Sequence, residues 1–354
     1  MTIIIIWNLL QGGVMKLIHC VTSVALIGTM ALAGGLAESA KGFGIKAIPE
    51  SSSELLKYID KGEDPITEAK IELGKMLYFD PRLSRSNLIS CNTCHNLAMG
   101  GADAIPAAIG HKWTMNPAHL NSPTVYNSVL SEVQFWDGRS PHLEDQAQGP
   151  IQAGPEMAAP KELVVERINS IPQYVELFKT AYGPNVKIDF ERIASVIGVF
   201  ERTLVTPSRF DDYLNGHPDA LTKAEKDGLK LFLDKGCAAC HNGMALGGTM
   251  QPFQVAKQYK FANLGGFTGD ANGMVKTPTL RNVTETAPYF HNGAIWKLTD
   301  AVKEMGSTQL GITINDKEAA SIATFLGALE GRKPQIIYPI LPPMADKTPK
   351  PTFD

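Results

Sequence analysis

The sequence has no charge excess of either sign: 33 Lys and Arg stand against 36 Asp and Glu, for a formal net charge of -3. So even a balance gives no reason to expect a nucleic-acid partner and leaves any docking to local patches. Strand signals are few and short, which makes the class mainly α. The largely apolar run from Leu17 to Leu32 falls short of the ~20 residues that span a bilayer, which argues against a membrane anchor. Cysteine is scarce, with five in 354 residues, and the placing of those five decides the reading.

Met15-Lys16 opens the apolar run, and the small residues Ala-Gly-Gly-Leu-Ala follow it to Ala37. That order reads as a signal peptide over residues 1–37, cleaved near Ala37 or Ala40, of a chain exported to the periplasm. Residues 1–14 lie upstream of the charged n-region, so Met15 is the expected true start. Cys20 sits near the beginning of the apolar run instead of ending it, which argues against a lipoprotein cleavage site.

The other four cysteines form two identical patterns, Cys91-Asn92-Thr93-Cys94-His95 and Cys237-Ala238-Ala239-Cys240-His241. In C-x-x-C-H, two thiols one helical turn apart add to the vinyl groups of a haem, and the adjacent His becomes the fifth iron ligand. A zinc ribbon separates its C-x-x-C pairs by about 15 to 20 residues, whereas these lie in opposite halves of the chain. A redox dithiol or a disulfide pair gives no account of the His that ends both copies.

The length suits two domains, each able to bury a core. Ile66 to Phe79 carries Ile66, Ala69, Leu73, Met76 and Leu77 on one helical face before the first motif. Thr222-Lys223-Ala224-Glu225 is a capping box opening a helix to Leu233 before the second. Asp316 to Leu329 has Ile322, Phe325, Leu326 and Leu329 at helical spacing, and Arg192 to Val205 reads as another helix. Helix, haem motif, loop and closing helix is the order of a small cytochrome c domain. Thr206-Pro207-Ser208 and Asn215-Gly216-His217-Pro218 read as a linker. The expected domains are therefore 38–205 and 206–338, with a Pro-rich tail at 339–354 that lies across a surface.

From about Leu55 to about Tyr338 the residues resemble the bacterial dihaem cytochrome c peroxidases, with MauG-type dihaem enzymes as relatives. The blocks that carry the likeness are "MLYFDPRLS", "SCNTCHNLAMGG", "AIGHKW", "NSPTVYN", "QFWDGR", "GPIQAGPEM" and "TPTLRNVTETAPYFHNGAIWKLTDAVKEMG". The resemblance implies two cytochrome c-like domains with two covalent haem c groups. Cys91, Cys94 and His95 would hold a peroxidatic haem, and Cys237, Cys240 and His241 an electron-transfer haem. It implies His111 as the imidazole that caps the peroxidatic iron at rest, and Met305 as the ligand that caps the other. Glu156 becomes the acid/base, Gln146 the residue that orients peroxide, and Trp136 the indole between the haems. Asn121, Thr286 and Pro288 would bind Ca²⁺ at the domain interface.

The implied activity is reduction of hydrogen peroxide to water by a homodimer, with electrons from a small cytochrome c or cupredoxin. Two alternatives stand beside it: a MauG-like enzyme that oxidises a partner protein, and a non-catalytic dihaem electron carrier or sensor. MauG-type proteins have Tyr at the ligand position that Met305 matches, so the Met favours the peroxidase.

Overall fold

A computed structural model describes residues 35–354. The signal peptide expected over residues 1–37 lies, but for its last three positions, outside the described residues. None of the described helices is long and apolar enough to cross a membrane.

Two helical frames of the same kind make up the molecule. In the first half the chain forms α1 (Leu36–Gly42), α2 (Ser52–Ile59), α3 (Glu68–Tyr78), the single turn α4 (Cys91–Cys94), α5 (Leu143–Gln146), α6 (Gln148–Gln152), α7 (Lys161–Ser170), α8 (Pro172–Tyr182) and α9 (Phe190–Arg202). Helix α3 starts where the Thr67 hydroxyl accepts from the Lys70 amide, and α9 where the Asp189 carboxylate accepts from the Arg192 amide. Each cap satisfies an amide that the first helical turn cannot. Leu73, Leu77 and Tyr78 of α3 bury their side chains against Val196, Ile197 and Phe200 of α9, each contributing about 1.5–3 kcal/mol. Gly74 lets the two helices cross closely, since a Cβ there would stand 2.0 Å from the Val196 carbonyl oxygen.

The second half repeats the device. Here α10 (Arg209–Leu214), α11 (Lys223–Asp234), the ribbon β1 (Met250–Pro252) and β2 (Met274–Lys276), α12 (Leu298–Met305) and α13 (Asp316–Gly327) follow in order. The capping box read at Thr222 is present in both directions: the Thr222 hydroxyl accepts from the Glu225 amide, and the Glu225 carboxylate accepts from the Thr222 amide. Helix α11 crosses α13 at Gly228, where a Cβ would lie 2.1 Å from the Ser321 carbonyl oxygen. The ribbon is antiparallel and pairs Met250 with Lys276.

The stretch expected to be a linker is partly helix. Ser208 and Asp211 form a capping box that starts α10, and Phe210 is buried among Phe232 and Phe325. Asp211 takes a bidentate pair from Arg281 at 2.7 and 2.8 Å, with both side chains almost wholly enclosed. Burial pushes the Asp211 carboxyl up, and the Arg281 guanidinium and neighbouring hydrogen bonds more than reverse that, holding it below the usual carboxylate range.

The two ends of the described residues are exchanged between the frames. Ala40 and Ile45 join the core of the second frame, and the Ile48 amide donates to Asp211 at 2.7 Å. The Pro-rich tail runs back across the first: Arg82 donates to the Pro342 carbonyl, and Arg167 to those of Pro349 and Lys350.

Removing one partner of an enclosed ion pair strands the other charge. Arg281→Met should therefore destabilise the haem-loaded protein by about 3–5 kcal/mol in guanidinium unfolding. A loss below about 1 kcal/mol, the range of a surface pair, would show that Asp211 is not held by charge pairing.

Candidate haem and peroxide site

Between the two frames lies a cavity of about 380 Å³, lined by both Cys-x-x-Cys-His turns. At the first turn, His95 follows Cys94 directly, its amide donating to the Cys91 carbonyl at 2.9 Å. The His95 Nδ1–H donates to the Pro123 carbonyl oxygen at 2.9 Å. At the second, the His241 amide donates to Cys237 at 3.0 Å, and Nδ1–H donates to the Leu246 carbonyl oxygen at 3.2 Å. A carbonyl can only accept, so both rings are fixed in the tautomer whose Nε2 carries a lone pair, the form an iron ligand requires. Burial holds both imidazoles below the usual histidine range, His241 down to about 4, which keeps that lone pair free of a proton.

All four cysteines are free of disulfides. Burial pushes the Cys94 thiol up to about 12 and Cys237 up to about 11, and it raises Cys91 and Cys240 as well. Thiols so raised are poor thiolate nucleophiles, which goes against a redox dithiol. Among the described residues, no three His, Cys, Asp or Glu side chains gather as a metal-binding group, so the two motifs do not form a zinc cluster. The donor set therefore fits haem c twice: paired thiols on one turn, an adjacent imidazole with Nε2 unprotonated, and an apolar wall.

The two sides of the cavity differ. Beside the second motif, α12 presents Leu298, Ala301, Val302 and Met305 to it, which is one face of a helix. Met305 is the last residue of α12, before a π-helical turn over Gly306–Leu310. Beside the first motif, Leu143, Gln146 and Ala147 face inward from α5 and its end, and Glu156 from the loop after α6. Burial raises the Glu156 carboxyl, opposed in part by the Arg139 guanidinium.

Trp136 lines the cavity where the frames meet. Its indole N–H donates to the Asn121 carbonyl at 2.9 Å, and its own carbonyl accepts from the Lys276 amide at 2.8 Å. Asn121, Thr286 and Pro288 lie on the same wall. His111 does not. It is buried, its amide donates to the Glu156 carbonyl at 2.7 Å, its Nδ1 has no partner among the described residues, and it stands off the cavity lining. Gly110 permits that packing, as a Cβ there would come within 2.0 Å of the Pro155 carbonyl oxygen.

Among the polar groups lining the cavity that were not read from the sequence are Lys276, Glu201 and His291. His291 stood inside the long matched block without a role. Its Nε2 is unpartnered among the described residues, and its ring is boxed by Trp136, Phe253, Tyr259 and Phe267. Lys276 stands just before that block, and Glu201 reads in sequence as one more polar residue on an amphipathic helix. Only their shared burial on this wall marks them.

Residues 68–219 match the family model for di-haem cytochrome c peroxidase, and residues 225–330 match that for cytochrome c. The cytochrome c551 peroxidase of Pseudomonas aeruginosa is 46% identical over 86% of this chain and 90% of its own length. That of Nitrosomonas europaea is 45% identical over 82% and 88%. The methylamine utilization protein MauG of Methylorubrum extorquens is 33% identical over 79% and 83%. Among solved structures, a MauG-like protein associated with microbial copper homeostasis superposes with a TM-score of 0.66 at 25% identity, over 76% of this chain and 91% of that one.

Burial, with the nearby Glu144 carboxylate, pushes Glu201 from its ordinary 4.5 up to about 8. A carboxyl whose folded value is raised gives stability that is complete below the unfolded value and lost as pH climbs through the folded one. The urea midpoint of the haem-loaded protein should therefore fall between about pH 4.5 and about 8. In Glu201→Gln that fall should flatten, and an unaltered slope would mean that Glu201 ionises normally.

Proposed function

The chain belongs to the di-haem cytochrome c peroxidase family, and we propose that it reduces hydrogen peroxide to two waters in the periplasm as a homodimer. Its electrons would come from a small cytochrome c or cupredoxin, entering at the Met305 side and leaving at the His95 side. When bound, the two haem c groups supply the redox chemistry and an iron position open to peroxide. What the chain itself supplies is axial ligation, a shaped wall and a proton carrier.

One observation carries this reading: Glu156, Gln146 and Trp136 share a single cavity with both Cys-x-x-Cys-His turns. Splitting the O–O bond requires a group that takes the proton from the near oxygen and delivers it to the departing one. Glu156 suits both halves of that transfer, because its burial raises the carboxyl from the fully acidic range toward one in which the proton is gained and released. The Gln146 amide, which both donates and accepts, would orient peroxide beside it.

On the second side the Met305 thioether would be the sixth ligand, and a thioether holds a haem at higher potential than a second imidazole does. That allows a mild donor to reduce it. On the first side His111 would cap the iron only after its loop turned inward. Because the His111 amide is bonded to the Glu156 carbonyl, such a turn would disturb the acid/base loop at the same time.

Calcium would sit where the frames meet. The Asn121 amide group spends its N–H on the Ile105 carbonyl at 2.8 Å, which leaves its oxygen available. With the Thr286 and Pro288 carbonyls, this is an all-oxygen set of the kind Ca²⁺ prefers.

Glu156→Gln should keep both covalent haems yet lose turnover by about 10²-fold or more, the usual worth of a positioned acid/base. Steady-state peroxide reduction with a reduced cytochrome donor checks it, and near-normal rates would remove Glu156 from the chemistry. Met305→His should lower the midpoint potential of the second haem in a spectroelectrochemical titration. An unmoved potential would point to a different sixth ligand.

A further inference from the structure

Lys276 is buried, 8% exposed, at the end of β2, and it lines the cavity between the frames. The other buried cations of the described residues all have partners. Lys70 pairs with Asp64, Lys75 with Glu72, Arg82 with Asp80, Arg202 with Glu144 and Arg281 with Asp211. Arg167 donates to a ring of backbone carbonyls. Lys276 Nζ, among the described residues, has neither a carboxylate within ion-pair distance nor a hydrogen-bond acceptor; only its backbone amide is engaged, by Trp136.

A buried ammonium without a counter-charge is costly, and such groups are normally paired or bound to an anion. Desolvation alone drags Lys276 down to about 8, as expected of a cation waiting for an anionic neighbour. The acids on the same wall do not serve. Glu156 is engaged electrostatically by Arg139, and Glu201 is held largely uncharged by its own burial. Haem brings two carboxylates at one edge of each macrocycle, and this cavity receives two haems.

We propose that Lys276 is the counter-ion of a haem propionate at the junction of the two domains and thereby sets the potential of that haem. It is a positioning residue and not a catalytic one, since it meets the edge of the macrocycle and never the reacting oxygens. The inference rests on the dihaem reading above. Its place next to Trp136, through the bond from the Lys276 amide to the Trp136 carbonyl, puts the positive charge in the stretch of protein that links the two haem sites.

The test is spectroelectrochemical titration of the haem-loaded protein. Lys276→Gln should lower the midpoint of one haem and leave the other unmoved, because losing a positive charge beside a macrocycle favours its oxidised, more positive iron. Lys276→Arg should restore the wild-type value. Identical midpoints in wild type and Lys276→Gln, with both haems present in the alkaline pyridine spectrum, would overturn the assignment. A wild-type chain lacking two covalent haems would instead overturn the family reading on which it rests. Should Lys276→Gln fail to mature, resonance Raman of the wild type decides: the propionate bending band should shift in D2O, and a band indifferent to the exchange would overturn the proposal.

Discussion

A single turn of helix, used twice, governs this molecule. Two thiols separated by two residues, followed at once by an imidazole, fix the attachment and the axial ligand of a haem within five residues. The second bond of each imidazole, from Nδ1 to the Pro123 or Leu246 carbonyl, decides which nitrogen is left to meet iron. Both halves of the chain provide the same proximal arrangement. Their difference lies entirely on the opposite wall, where one half offers a thioether from α12 and the other a carboxyl, an amide and a retracted imidazole. Two copies of one ligand geometry are thus told apart by what faces them, which is what the proposed division into a relay and a reaction site requires.

The frame holding these turns is rigid where its helices cross and interlocked where its ends run. Gly74 and Gly228 serve the same purpose in their respective halves, bringing the helix before the motif against the helix that closes the frame. Residues near the start of the described chain pack into the second core, while the tail lies on the first, tied by Arg82 and Arg167. Each frame therefore carries a piece of the other's sequence. Sliding one against the other would break buried hydrogen bonds to charged groups at both ends, each worth about 1.5–3 kcal/mol, so the spacing of the two haem sites is held from two directions.

Much of this was legible because it is local. The haem turns are five-residue patterns, and the helix from Thr222 is announced by a capping box whose two hydrogen bonds both form. Helices α3 and α13 carry apolar residues at the period that buries one face. The family likeness, which rests on long blocks instead of single residues, added the catalytic and ligand candidates, of which Glu156, Gln146, Trp136 and Met305 line the one cavity. What stayed hidden is non-local. Asp211 looks like one more polar residue in a loop until Arg281, seventy positions away, encloses it. The Pro-rich tail shows no partner in its own composition, because its bonds run through backbone carbonyls. Lys276 and Glu201 carry no pattern at all, and their meaning lies in the company they keep.

Trp136 shows how far such non-local company reaches. One residue of the first domain gives its indole N–H to Asn121 and takes the Lys276 amide of the second domain onto its carbonyl, while its ring stands edge-on to His291. The Asn121 amide in turn donates to the His291 carbonyl oxygen at 2.7 Å. Strand β2, the loop through Asn121 and the segment around His291 are consequently joined through Trp136 by a chain of three hydrogen bonds that crosses the domain boundary. An electron moving between two fixed sites is best carried by a medium that does not reorganise, and a chain of short bonds through a half-buried aromatic supplies one. A charge held on one side of this chain of bonds, as proposed for Lys276, would shift one haem against the other and so set the difference in potential between the two halves.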